Sequence, residues 1–273
     1  VRAVRLTAFY LLSLLIVAVF VAPYLFAVFA SFKPLSGITT ERPWRPPSHL
    51  DLTNFSQVLF HQNFFTFLGN TVLTAVILTV GQVAFSMMGA YAFARLRFPG
   101  RDALFWVYLA TLMVPNVVTM VPLYVIMDNL RLLNTYWAIF LPYVLGTPYT
   151  IFLMRQYFMT IPASLIEAAR LDGCGEMRIL WRVLLPVSRP IVVTASLIAF
   201  VFGWNNFLWP LIATNSTSLQ VATVGIANFQ SNFGTQWNLV IAASLVLLVP
   251  MLIVFAIFQR QIVRSVQLTG TNR

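Results

Sequence analysis

Few residues in this chain can do chemistry, and most of them are gathered in one place. The stretch from Arg155 to Pro190, RQYFMTIPASLIEAARLDGCGEMRILWRVLLPVSRP, holds five of the seventeen basic residues and three of the seven acidic ones. Within it Glu167-Ala168-Ala169 is followed after three residues by Gly173, and after nine more by Val183-Leu184-Leu185-Pro186. The chemistry on offer is recognition, not bond-making. Pro162 suits the first turn of a short helix and Thr160 its cap. Alanines at 168 and 169 let a partner surface come close. Glu167 beside them can reach a basic group on that partner, or pair locally with Arg170 at i+3. Gly173 turns the chain, a second short helix follows over about 176–184, and Pro186 and Pro190 close the stretch. So small a helix is expected to bury little against its own chain, which argues for a docking surface over a solvated connector. Other chemistry is sparse. His49 and His61 are too isolated for a metal cluster, and Cys174, the single cysteine, excludes an intrachain disulfide and any C-x-x-C site.

The elements that position this stretch are built for lipid. The 273 residues are 59% hydrophobic and 9% charged, with mean hydropathy +0.83; a soluble domain has about 25% charged residues. Six apolar runs approach the roughly 20 residues a helix needs to cross a bilayer. They cover about 6–30, 70–93, 103–127, 136–154, 191–212 and 239–258. The first is longer than a signal-peptide core and ends in no A-x-A-like site, so a retained span is expected. Prolines at 34, 43, 46 and 47 deny the segment from 31 to about 68 a long helix, and within it FSQVLFHQNFFTFLGN, from residue 55, reads as a stretch lying at the membrane surface. The second span is rich in small residues that allow close helix approach. Pro115 and Pro122 in the third, and Pro142, Gly146 and Pro148 in the fourth, fit kinked or broken helices as well as ordinary Gly and Pro enrichment.

Charge sets the expected topology. Arg2 and Arg5, then Arg95, Arg97 and Arg101, then the five arginines of 155–190, then Arg260, Arg264 and Arg273 fall on one side; Lys33, Arg42, Arg45 and Arg131 fall on the other. The positive-inside rule then gives six spans with both termini cytoplasmic, and makes 156–190 the largest cytoplasmic feature of a single membrane domain over 1–273. The net charge of +10 is explained by orientation and does not point to nucleic acid. The expected fold is all-α, polytopic, with a cytoplasmic helix carrying Glu167.

The spacing E-A-A, three residues, G, nine residues, V-L-L-P resembles the signature of binding-protein-dependent ABC importer permeases, departing only at Val183, where isoleucine is usual. SFKP (31–34), AYAFAR (90–95), FPGR (98–101), IPASLIEAARLDG (161–173) and WNNFLWPLI (204–212) narrow the resemblance to the carbohydrate branch and its MalG-like subunit. The resemblance implies a type I permease fold in a bacterial or archaeal cell membrane. It also implies a second permease of related fold, two ATP-binding subunits that hold ATP and Mg, and an extracytoplasmic sugar-binding protein. Glu167, Ala168, Ala169, Asp172, Gly173, Leu185 and Pro186 would form the ATPase-coupling surface. Asn206 stands where an acid is common, and QLTGTNR replaces the usual tail.

This chain has no G-x-x-x-x-G-K-[ST] phosphate loop, so it is expected to bind no cofactor and catalyse no reaction itself. Amides and aromatic faces suit sugars, which nominates Asn116, Trp204, Asn205, Asn206 and Trp209 for the solute path; interfacial anchoring and helix–helix bonding explain the same residues. The alternative, a secondary transporter, calls for acids inside the membrane, and none of the six runs contains Asp or Glu.

Overall fold

The computed structural model describes residues 2–42, 44–231 and 234–270. Pro43 of the proline-rich segment and the final Thr271, Asn272 and Arg273 of the tail lie outside the described residues. The architecture is helical throughout; among the described residues the only strands are Gln230–Ser231 and Gly234–Thr235, which pair antiparallel. Four helical segments are long and apolar enough to cross a membrane, and two bent pairs bring the total to as many as six.

The main helices are α1 (Arg2–Ser31), α2 (Phe64–Arg95), α3 (Arg101–Ala110), α4 (Asn116–Asn129), α5 (Tyr136–Val144) and α6 (Pro148–Thr160). They continue with α7 (Ala163–Leu171), α8 (Glu176–Val187, with a π-helical turn over Leu180–Leu184), α9 (Arg189–Trp204), α10 (Leu208–Ala213) and α11 (Trp237–Gly270). The third span is broken at Val114–Pro115, where Pro115 has no N–H to give and its ring excludes a continuing helix, and the two halves meet at 104°. Pro122 and Pro142, by contrast, sit inside unbroken helices. The fourth span breaks at Gly146, whose φ of +96° ends α5. The fifth, expected to run to residue 212, stops at Trp204 and resumes at Leu208. One expectation is corrected: the surface segment ends at Gln62, because the chain turns at Asn63 (φ +54°) and Phe64 already opens α2.

The chain divides into two compact units. One comprises the residues up to Leu68 with Val224–Val254. In it α1 is apolar all round and its hydrophobic window buries nothing, as a helix facing lipid can. The turn after α1 is held by Asn54, whose amide donates to the carbonyls of Ser31 (2.8 Å) and Lys33 (2.9 Å) and accepts from the Asn238 amide (2.8 Å). Lys33, itself buried, pairs with Glu41 at 2.9 Å.

The other unit comprises Gly69–Thr223 and the chain from Phe255 onward. At one end, amides pin the irregular segments. Asn70 donates to the carbonyls of Ser218 and Gln220 and accepts from Tyr136. Asn134 accepts from the backbone N–H groups of Asn215 and Ser216. At the other end a core of Met87, Tyr91, Met154, Phe158, Ile166, Ile179, Leu180 and Leu184 joins α2 and α6 to α7 and α8.

Candidate functional site

Helix α7 is where the sequence places Glu167. Its local structure departs from expectation in two ways. Thr160 does not cap it: that hydroxyl bonds back to Tyr157 O (2.7 Å) as the last residue of α6. The cap position is Pro162 itself, in extended geometry and without a side-chain bond. The helix is also far from idle against its own chain. Ile166 and Ala169 are buried in the core just described, because residues three apart share a face. Ala169 therefore packs inward, and the outward side carries Glu167, Ala168 and Leu171, the last 89% exposed. Asp172 caps the C-terminus, and Gly173 (φ +76°) makes the turn in open space. Leu185 is half-buried against the core, and Pro186 is exposed.

The local pair anticipated between Glu167 and Arg170 does not form. Arg170 instead meets Glu176 in a two-pronged contact, Nε to Oε1 at 3.0 Å and Nη2 to Oε2 at 3.2 Å. Tyr91, from the end of α2, donates its hydroxyl to the same carboxylate. Bonding to Arg170 first, and to Tyr91 second, pulls the Glu176 carboxyl below its ordinary range, and the same contact raises Arg170. Arg95, one turn beyond Tyr91, donates to the carbonyls of Phe158 and Ile161 at the end of α6, where backbone carbonyls run out of intrahelical partners. Arg155 returns the tie, with Nε 3.3 Å from Phe93 O and its guanidinium 4.1 Å over the Phe105 ring. Arg95 and Arg155 thus tie α6 to α2, and Tyr91, Glu176 and Arg170 clamp α7 and α8 to the end of α2. Sequence reasoning missed this clamp because its members are separated by up to 85 residues. Between α7 and the loop after α2 lies an open cleft of about 820 Å³, lined by Glu167, Arg170 and Glu176 on one side and Arg95, Arg97 and Arg101 on the other.

The residues nominated for the solute path are not brought together. Asn116 is exposed at the start of α4, on a cleft of about 540 Å³ whose lining includes none of residues 204–209. Trp204 is buried and stacks on Phe200. Trp209 is fully buried, its indole N–H donating to Ala138 O at 2.7 Å. Asn205 is exposed and donates to Val201 O in its own helix (2.9 Å). Asn206 is half-buried, and its carbonyl accepts from Thr223 (2.7 Å). Among the described residues no group of three His, Cys, Asp or Glu could hold a metal.

The family of binding-protein-dependent transport system inner membrane components matches residues 86–267, a run that contains α7, the clamp and every span after the second. The chain belongs to this family. It is a membrane permease component of an import system, a translocation subunit and not an enzyme. Among its relatives, the sn-glycerol-3-phosphate transport system permease protein UgpE of Yersinia pestis bv. Antiqua (strain Antiqua) is 40% identical over 198 residues, covering 72% of this permease and 70% of that one. The arabinooligosaccharides transport system permease protein AraQ of Halalkalibacterium halodurans is 34% identical over 262 residues, 94% and 92% of the two chains. Among solved structures, a bacterial ABC transporter involved in the import of the acidic polysaccharide alginate superposes with TM-score 0.83 at 25% identity, over 95% of this permease and 98% of that chain. The permease thus shares its fold with a chain of that transporter.

Proposed function

We propose that this permease is one transmembrane half of an ATP-driven importer for sugars or related polyols, most similar in position to the MalG-like subunit, and that residues 156–190 are its coupling loop. The solutes named for its relatives, a glycerol phosphate, arabino-oligosaccharides and alginate, are all rich in hydroxyls. A second permease of related fold, two subunits that bind ATP and Mg, and an extracytoplasmic binding protein complete the assembly, with both termini on the cytoplasmic side.

The observation that carries the coupling role is the two-sided use of α7. Its inner side, Ile166 and Ala169, packs on the core with α2 and α6; its outer side, Glu167, Ala168 and Leu171, has no cover among the described residues. A peg of this kind transmits force only if it is rigid at its root, which the Tyr91–Glu176–Arg170 clamp supplies. Glu167 then faces a basic group of the ATPase, and the small Ala168 side chain allows close approach. Removing one partner of a desolvated charge pair at an interface weakens docking by about thirty-fold or more. Glu167→Ala is therefore expected to lose co-purification with the ATPase subunits and to lose uptake. Unchanged co-purification and uptake would remove Glu167 from the interface.

A further inference from the structure

Gln82, which lines the cleft beside Asn116, carries a buried polar atom that the described residues leave unpaired. Gln82, near the middle of α2, is 4% exposed. Its amide nitrogen donates to the hydroxyls of Thr147 (3.1 Å) and Thr150 (3.0 Å), which also bond to each other at 2.9 Å. Its amide oxygen is buried and has no hydrogen-bond partner among the described residues. Turning the amide over exchanges the two ends and still leaves one unpaired. Buried polar groups are nearly always satisfied, and one that is not destabilises the fold, so it calls for an explanation.

The surroundings supply one. The cleft is lined by Gln82, Asn116, Thr119, Tyr143, Thr147 and Tyr149, among others, and by no acidic or basic side chain. It opens where two spans are interrupted near their midpoints, at Val114–Pro115 and at Leu145–Thr147. Helix α4 starts there, at Asn116, without a side-chain cap bond, and the first N–H groups of a helix lack partners within it. Irregular backbone at membrane depth is tolerated where it lines a cavity, and solute sites of transporters sit at such interruptions. The unpaired oxygen needs a donor, while the start of α4 offers donors in want of an acceptor. A hydroxyl is both, and the rings of Tyr143 and Tyr149 suit the apolar face of a sugar or polyol. We propose that Gln82 contacts a hydroxyl group of the transported solute directly, with Asn116 at the start of α4 as its neighbour across the cleft.

This rests on the reading of the chain as a permease for hydroxyl-rich solutes, and one experiment separates the two. The whole importer, with its binding protein, is reconstituted in proteoliposomes and offered radiolabelled sn-glycerol 3-phosphate or arabinotriose. If the wild-type importer accumulates neither when ATP is supplied, the functional reading falls and this inference falls with it. If either accumulates, Gln82→Leu, which keeps the volume and removes the amide, is expected to raise the KM for that probe about ten-fold, with the complex still eluting intact. Asn116→Ala, at an exposed position where folding is not at stake, is expected to raise it several-fold. A KM within two-fold of wild type for Asn116→Ala, or for an intact Gln82→Leu complex, overturns the proposal; a structural water would then be the partner of the amide.

Discussion

Glu176 holds the arginine that helix spacing offers to Glu167. The exchange has a physical basis: an i+3 pair on an exposed helix is worth only a few tenths of a kcal/mol, whereas Glu176 gains a two-pronged guanidinium and a tyrosine hydroxyl together. Because Arg170 and Glu176 are both more than 40% exposed, solvent screening holds the pair to roughly 0.5–1 kcal/mol. The sign of its pH dependence follows from the lowered Glu176 carboxyl. Its contribution is complete above 4.5, the ordinary value, and is lost as pH falls through the lower folded value. Glu176→Gln is therefore expected to lower the thermal unfolding midpoint at neutral pH and to flatten its acid dependence, read by unfolding scans of the purified complex across pH. Trp209 makes the opposite case. Its type and its place in WNNFLWPLI suit a sugar contact equally well in sequence, but it is sealed in the core with its N–H on Ala138 O. Trp209→Ala is expected to cost about 3–5 kcal/mol, seen as loss of folded protein and not as a changed solute preference. A sequence lists side chains that can bond; it does not say which of them are already bonded, and that separates Trp209 from Gln82.

Among the elements, the helix breaks were legible in part. Proline and glycine marked spans three and four, but Pro115 broke its helix while Pro122 and Pro142 sit inside unbroken ones. The stop at Trp204 was not read from FGWNNF, although Gly203 stands directly before it. Gly146 and Gly173 both adopt positive φ, yet their substitutions are expected to differ. At Gly173 an added Cβ meets open space, so Ala costs only the left-handed strain of about 1–2 kcal/mol. At Gly146 the same Cβ would sit 2.9 Å from Ser86 Oγ and 3.2 Å from Ser86 N, adding a collision with the α2 backbone. Gly146→Ala is thus expected to unfold at a lower temperature than Gly173→Ala, compared in one detergent by the same thermal scan. The root of α7 was the least legible feature. A nine-residue helix judged alone buries little; it is the convergence of α2, α6 and α8 that gives Ile166 and Ala169 somewhere to go.

For the molecule as a whole, hydropathy and arginine placement anticipated a helical protein of up to six spans, since both report directly on the solvent each segment meets. Arg95, Arg97 and Arg101, from the end of α2 and the turn after it, line one cleft with Arg170 of α7 beside Glu167. The central claim is that the outer side of α7 docks, inside the cell, on the subunit that hydrolyses ATP. Its most direct test uses Ala168→Cys in a Cys174→Ser background, so that the new thiol is the only one in this chain. In membranes holding the assembled importer, a short bifunctional thiol cross-linker is expected to join this cysteine to the ATPase subunit, and a membrane-impermeant thiol reagent added to intact cells is expected to leave it unlabelled. Labelling from outside, or cross-linking only to other proteins in the presence of a bound ATPase, would contradict the account.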